Sequence, residues 1–387
     1  MTNVSAWLRR DRSMEGPRGL RSEEMVSLRH LTDICFWKGL VDKYPQLFNE
    51  DNLENLRVIV DGGEVISHVG MTEQWVSIFG CLLRVACVGA VCTHPNYRMR
   101  GLATRLFNDA CEKAYNDGVD FMLVSGIRGL YLRAGCRQIL GCDFEVSVTP
   151  EHIQLLSDPA ITVKPCSSRD IEVMSAIYRR EPVRFLRRLE DYQRAFACRH
   201  VMDKESEFLL ILKDGSPRAY VILPSPSKKS KVRIGEYAGE RSSLVNALGL
   251  ILQRFPSLEE IVIHILGCDV LLQSLMEEKG LQLRPSNSAC TVRIINFTQL
   301  MERLRPYFEE VIGYKETRKI KFLEKKGRFI VEYGADRVVI PGRPEAAQLI
   351  FGSKDAPTEL LSAGGKAGKI LREVLPIPLP WYGINFV

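Results

Sequence analysis

No stretch of this 387-residue chain reaches the roughly 18 apolar residues that a membrane-spanning helix requires; the nearest, Cys81 to Cys92, is interrupted by Arg84. The N-terminal residues lack the apolar core of a secretory signal. There are eleven cysteines but no Cys-x-x-Cys, and the pairs Cys92/His94 and Cys198/His200 have no second ligand pair nearby, so no metal is expected. Gly-x-x-x-x-Gly-Lys-Ser/Thr is absent, which excludes the phosphate loop of nucleotide hydrolases, and so is the Gly-x-Gly-x-x-Gly dinucleotide fingerprint. Charge of one sign is not concentrated either. Fifty-three Lys and Arg against 47 Asp and Glu leave +6, mild for a nucleic-acid binder but suited to a site for a small polyanion. Neither nucleic acid nor membrane is an expected partner. Most cysteines lie in apolar runs and read as small buried hydrophobes, which predicts a reducing cytoplasm.

What is present is an ordinary globular composition, 45% hydrophobic and 26% charged. Residues 1–15 read as a disordered extension. From Gly16 a short strand, a helix and a hairpin follow, the hairpin turning at Asp61-Gly62-Gly63, where positive φ is tolerated. A strand from Leu82 to Thr93, a helix from Gly101 to Asn116 and a buried strand from Phe121 to Ser125 predict an α/β unit with a mixed sheet over 16–157. Asp158 to Asp170 reads as a polar join. The order then restarts: a hairpin at Asp214-Gly215, a strand from Val232 to Ala238, a helix from Arg241 to Gln253, a strand from Ile261 to Ile265 and a helix to Lys279. The segments 16–157 and 158–288 thus read as structural duplicates. In 289–387, Ile320 and Phe322, then Phe329, Val331 and Tyr333, alternate as half-buried strands do. The chain finishes Pro376-Ile377-Pro378-Leu379-Pro380-Trp381-Tyr382-Gly383-Ile384-Asn385-Phe386-Val387, stiffened by prolines and rich in aromatics, unlike a polar, frayed terminus.

The most informative segment is Val91-Cys92-Thr93-His94-Pro95-Asn96-Tyr97-Arg98-Met99-Arg100-Gly101-Leu102-Ala103. A β-branched strand ends at Pro95, an Arg-rich turn follows, and a helix opens at a Gly-x-small step. Helix N-termini offer unpaired N–H groups and positive dipole ends, Gly101 admits close backbone approach, and Arg98 and Arg100 add cationic donors. The turn predicts a site for a pyrophosphate-bearing ligand.

Arg98-x-x-Gly101-x-Ala103 resembles the pyrophosphate-binding motif of the GNAT superfamily of N-acetyltransferases. Leu130-Tyr131-Leu132-Arg133-Ala134-Gly135-Cys136, after the next strand, resembles the motif that follows it in that family. The whole layout resembles the enhanced intracellular survival family: two tandem GNAT-like α/β domains with mixed sheets, then a sterol-carrier-like α+β domain. The resemblance implies acetyl-CoA as acyl donor. Backbone at Val91, Cys92 and Thr93 would contact its thioester and pantetheine arm. Met99, Arg100, Gly101, Leu102, Ala103 and Thr104 would wrap the pyrophosphate beside Arg98, with Ser125 next to the arm. It also implies Tyr131 as general acid, the carboxylate of Val387 as general base, and a homo-oligomer. The chain departs from the family in ending Phe386-Val387, and in carrying Ile127 and Arg128 where better-known members have a shorter run. At the second unit's corresponding turn, Gly235-Glu236-Tyr237-Ala238-Gly239-Glu240-Arg241, acidic residues stand where donors would be needed, so no cofactor is expected there.

The chemistry so implied is transfer of acetyl to the amine of a small molecule or peptide. A carboxylate of ordinary pKa near roughly 3.5 is ionised and can take the amine's proton, while a phenol near about 10 stays protonated to supply the leaving thiolate. The alternative is a ligand-binding protein with a vestigial acetyltransferase unit and an apolar-ligand C-terminal domain. His94 is a weaker candidate base, Cys92 and Cys136 weaker nucleophiles; Phe36, Trp37, Trp75 and Phe79 line either an acceptor pocket or the core. Lys228-Lys229-Ser230-Lys231 reads as a solvated loop.

Overall fold

The computed structural model describes residues 14–226 and 230–387. Residues 1–13 of the expected 1–15 extension and the Lys228-Lys229 pair lie outside the described residues, while Glu15, its last residue, opens the first strand and so belongs to the fold. Strands β1 (Glu15–Gly19), β2 (Leu56–Asp61), β3 (Glu64–Ile78), β4 (Cys81–Thr93) and β5 (Phe121–Val124) pair in that order, antiparallel except for the parallel β4–β5 pair. The β2–β3 hairpin turns at Gly62 (φ 59°) and Gly63 (φ 85°), the two successive positive angles that a tight hairpin demands. Helix α1 (Met25–Cys35) packs against β3 and β4. Helix α2 (Leu102–Asn116) buries Leu102, Leu106, Phe107, Ala110, Cys111 and Ala114, one stripe of helical period, against the same sheet.

Sheet membership then crosses the expected unit borders. β6 (Arg137–Gln138) stays with the first sheet, but β7 (Asp143–Val148), inside 16–157, pairs with strands of the second unit. β8 (Ile161–Pro165) lies within the segment read as a join, and pairs antiparallel with β11 (Lys204–Lys213). Its alternating Ile161 and Val163 are the only apolar pattern in a polar stretch, too short to register by periodicity. β9 (Val183–Phe185) extends the first sheet beside β3. β10 (His200–Val201), β11, β12 (Ser216–Pro224) and β14 (Glu236–Gly239) form a second sheet with β8. β13 (Lys231–Arg233), β15 (Glu260–Ile265) and β16 (Arg284–Ser286) form a third with β7. The single strand expected from Val232 to Ala238 is therefore two, parted at Ile234-Gly235 and paired in different sheets. β17 (Thr291–Ile294), from the last hundred residues, enters the first sheet between β5 and β6.

β18 (Ile320–Lys325), β19 (Arg328–Tyr333) and β20 (Asp336–Ile340) make an antiparallel meander, the third strand unforeseen. Its core is continuous with one face of the first sheet: Phe297, Phe322 and Phe329 share a cluster with Leu83, Val85, Phe121 and Val292. The other face of that sheet is covered by α2. Among the described residues, no helix is long and apolar enough to cross a membrane.

His68 on β3 is fully buried; its Nδ1 lies 2.9 Å from Ala90 O and its Nε2 has no hydrogen-bond partner. Burial holds its pKa down at about 4, against an ordinary 6.5. The unfolded chain therefore takes up this proton before the folded chain does, and stability falls as pH drops from 6.5 towards 4. The loss is expected to reach roughly 3 kcal/mol from this residue. Urea melts at several pH values should show that decline in the wild type and a flatter acid limb in His68→Gln.

Candidate active site

β4 runs out at Thr93 into a short 3-10 turn, Pro95–Tyr97, whose first amides are capped by His94: its Nδ1 accepts from Asn96 N at 3.3 Å. This is a structural job for the residue weighed above as a base. Arg98 is extended, Met99 (φ 62°) and Gly101 (φ 74°) are left-handed, and α2 starts at Leu102 with no side chain capping it. A Cβ on Gly101 would meet nothing within 4 Å, so conformation selects glycine and the space over the turn is open. The leading amides of α2 thus carry the helix's positive end towards open space. Met99 and Thr104 are exposed and Leu102 is buried beneath the turn. Arg100 lies over the Tyr97 ring at 4.9 Å, and donates to Asn96 O at 3.3 Å.

β4 and β5 stay paired only from Val85/Phe121 to Val88/Val124, closing with Ser125 N donating to Val88 O at 3.0 Å. Beyond that point β5 ends, while β4 continues through a bulge at Ala90 (φ 50°). The freed edge of β4 faces a cavity of about 340 Å³. Val91, Cys92 and Thr93 form one wall, Arg98 and Ala103 the end nearest the turn, and Arg128 and Tyr131 another side. Thr93 O points to this side, accepting from Arg98 Nε at 3.3 Å and Cys35 Sγ at 3.6 Å. In an extended strand the N–H of a residue shares the edge of its carbonyl, so the Thr93 amide faces the cavity too.

Tyr131 sits on helix α3 (Gly129–Arg133), buried, its ring 5.3 Å from that of Phe107. Burial pushes its phenol up to about 12, while the Arg128 charge pulls the other way, so it stays protonated at neutral pH. Cys136 is fully buried, with its thiol also pushed up to about 12 by burial.

Val387 is buried on the opposite face of the sheet from Tyr131. The Ser125 hydroxyl lies 2.7 Å from Val387 O and 2.9 Å from Val88 O, able to donate to one at a time. A Cβ on Gly89 would come within 2.0 Å of Val387 O, so glycine makes room for the terminal group at the place where β4 and β5 part. The split between these strands links the two faces.

The tail reaches this point by a chain of specific contacts. Trp381 stacks on His264 at 4.0 Å and donates to Gly235 O at 2.7 Å. Arg187 and Glu236, 1% and 3% exposed, form a bidentate pair at 2.7 and 2.9 Å. Glu236 accepts from Ile384 N at 2.9 Å and Tyr220 OH at 2.6 Å, and Arg187 donates to Asn385 Oδ1 at 2.6 Å. Gln46 Nε2 donates to Ile384 O at 2.8 Å, and Asn385 bonds Gln74. Gly383 is forced, because a Cβ there would fall 1.6 Å from Glu236 Oε2.

At the second unit's turn, before helix α4 (Arg241–Arg254), an internal carboxylate occupies the donors: Glu181 accepts from Gly239 N at 2.8 Å and from Arg241 Nη2 at 2.6 Å, and Arg241 Nε donates to Asp269 at 2.7 Å. The acidic residues of Gly235–Arg241 are thus divided, Glu236 holding the tail and Glu240 bonding Ser243. Sequence reasoning missed Cys35, Gly89, Arg187 and the role of Glu236. Only the Gly383 and Gly89 glycines, both without an obvious turn, could have signalled a close approach.

Residues 17–139 match the family model described as the acetyltransferase (GNAT) domain. This stretch is a GNAT acetyltransferase domain. No curated protein matches the chain. Among solved structures, a GCN5-related N-acetyltransferase from Anabaena variabilis has a TM-score of 0.67 at 16% identity, over 94% of this chain and 98% of that one. Another from Kribbella flavida has a TM-score of 0.61 at 11% identity, over 95% and 96%. Eis1 from Mycobacterium abscessus has a TM-score of 0.53 at 16% identity, over 74% of each chain. At such identities the likeness is one of fold. Among the described residues no cluster of three or more His, Cys, Asp or Glu could hold a metal.

Proposed function

We propose that the chain is an N-acetyltransferase that moves acetyl from acetyl-CoA to an amine of a small molecule or peptide by direct attack. The observation carrying this reading is the meeting of three features along one split in the sheet. These are the open amide turn at Arg98–Thr104, the buried phenol of Tyr131, and the terminal group of Val387 against Gly89 and Ser125.

The turn's amides, with Arg98 beside them, suit a pyrophosphate, and the freed edge at Val91, Cys92 and Thr93 suits a pantetheine amide chain. The amine nitrogen attacks the thioester carbonyl, whose developing oxyanion is met by a strand amide around Thr93. The Val387 carboxylate accepts the amine's proton, directly or through water, and Tyr131 gives its proton to the departing thiolate. The arrangement of two GNAT-like units and a last unit with a sterol-carrier-like role, working in the cytoplasm as a homo-oligomer, completes the proposal.

The test is release of coenzyme A thiol from acetyl-CoA against a panel of polyamines, aminoglycosides and peptides, with the acetylated product identified by mass. Release that depends on the amine supports the reading; none with any amine defeats it. Tyr131→Phe should slow turnover by roughly 10²-fold or more while acetyl-CoA affinity changes little, since the phenol acts on the leaving group and not on the resting thioester. Equal loss in binding and turnover would point to a packing defect.

A further inference from the structure

Ten of the eleven cysteines have thiols pushed above the ordinary range, with burial the largest cause in nine and the Cys35 thiol the largest for Cys92. Cys35 alone is pulled down, to about 7. The cause is its surroundings, the Cys92 thiol first and the Arg98 charge against the opposing pull of burial: Cys35 Sγ lies 3.6 Å from Thr93 O, the carbonyl that also accepts from Arg98 Nε, and Cys35, half-exposed, lines the same cavity as Cys92. Cys35 closes the C-terminal end of α1 and Cys92 lies on β4, so the pair sits where the helix meets the strand that borders the split. The mechanism proposed above uses neither thiol.

We propose that Cys35 and Cys92 form a reactive dithiol that exchanges with small disulfides entering this cavity, the disulfide of coenzyme A foremost. That preference rests on the acetyl-CoA reading; the dithiol itself does not. The Cys35 thiolate attacks one sulfur of the disulfide, forming a mixed disulfide and expelling one thiolate, which takes up a proton. Cys92 loses its proton to solvent, attacks the Cys35 sulfur and expels the second thiolate. The protein loses two electrons and two protons to a Cys35–Cys92 disulfide, and the small disulfide becomes two thiols. The closed disulfide would tie α1 to β4 across the cavity wall and exclude an acyl donor.

The full-length protein, treated separately with coenzyme A disulfide and with oxidised glutathione, then alkylated and mapped by peptide mass, tests this. Wild type should lose alkylation at Cys35 and Cys92 together and recover it with dithiothreitol, and Cys92→Ser should stop at a mixed disulfide on Cys35. Loss spread over Cys142, Cys198 and Cys268, or Cys35 left alkylatable by both reagents, overturns the dithiol. Acetyl-CoA should slow alkylation of Cys35 several-fold. If the dithiol forms but acetyl-CoA gives no protection, the dithiol stands and the cofactor reading fails. Far-ultraviolet circular dichroism of Cys35→Ser and Cys92→Ser separates a lost reaction from a lost fold.

Discussion

Deleting Ile384 through Val387 should lower kcat by roughly 10²- to 10⁴-fold, the usual contribution of a positioned proton acceptor, with the KM for acetyl-CoA little changed. Val387 O is 2.7 Å from Ser125 Oγ and pressed against Gly89, on the far side of the strand split from the turn that would hold the pyrophosphate. Losing it should therefore cost chemistry and spare donor binding. A sharper version adds one glycine after Val387. The tail's anchors remain, but the carboxylate moves, and Gly89, where even a Cβ would fall 2.0 Å from Val387 O, leaves no room for another residue. Steady-state rates on the three proteins decide the matter. Undiminished turnover in both altered forms would remove the tail from the mechanism and leave another proton acceptor to be found.

Arg187→Ala should destabilise the fold by about 3–5 kcal/mol, because it strands the Glu236 carboxylate in a site 3% exposed. The same change frees the tail, since Arg187 bonds Asn385 and Glu236 bonds the Ile384 amide. Turnover should fall along with the midpoint of a denaturant melt. Replacing both members by apolar residues, Arg187→Met with Glu236→Leu, removes the buried charge and should recover much of the stability lost in the single variant, but not the turnover. A double variant that regained full activity would show that the pair supports packing alone.

These two residues also mark what the sequence could and could not disclose. The turn at Arg98–Ala103 was legible because its chemistry is local: strand, proline, arginines, glycine and helix follow one another within a dozen residues. The hairpin at Gly62-Gly63 and the stripe of α2 were legible for the same reason, as period and turn chemistry leave marks on neighbouring residues. The tail's oddity showed in its composition, but its partners did not. Arg187, Gln46 and Glu236 are scattered over some 190 positions and meet only through tertiary packing. Strand exchange was hidden likewise. β7 and β17 pair across what look like unit borders, and nothing in Asp143–Val148 or Thr291–Ile294 says which sheet will receive them. By residue type Glu236 and Glu240 are two like acids at a cofactor turn, yet one is buried against an arginine and the other accepts from the Ser243 hydroxyl, a distinction made by burial.

If the turn from Arg98 to Thr104 grips a diphosphate, thermal melts with coenzyme A and with pantetheine at equal concentration will differ. The two share a thiol arm and differ in the nucleotide and its pyrophosphate. Coenzyme A at about 100 times its Kd should stabilise the protein by about 2.7 kcal/mol, and pantetheine by far less. Equal shifts from both, or no shift from either, would mean that the turn holds no diphosphate.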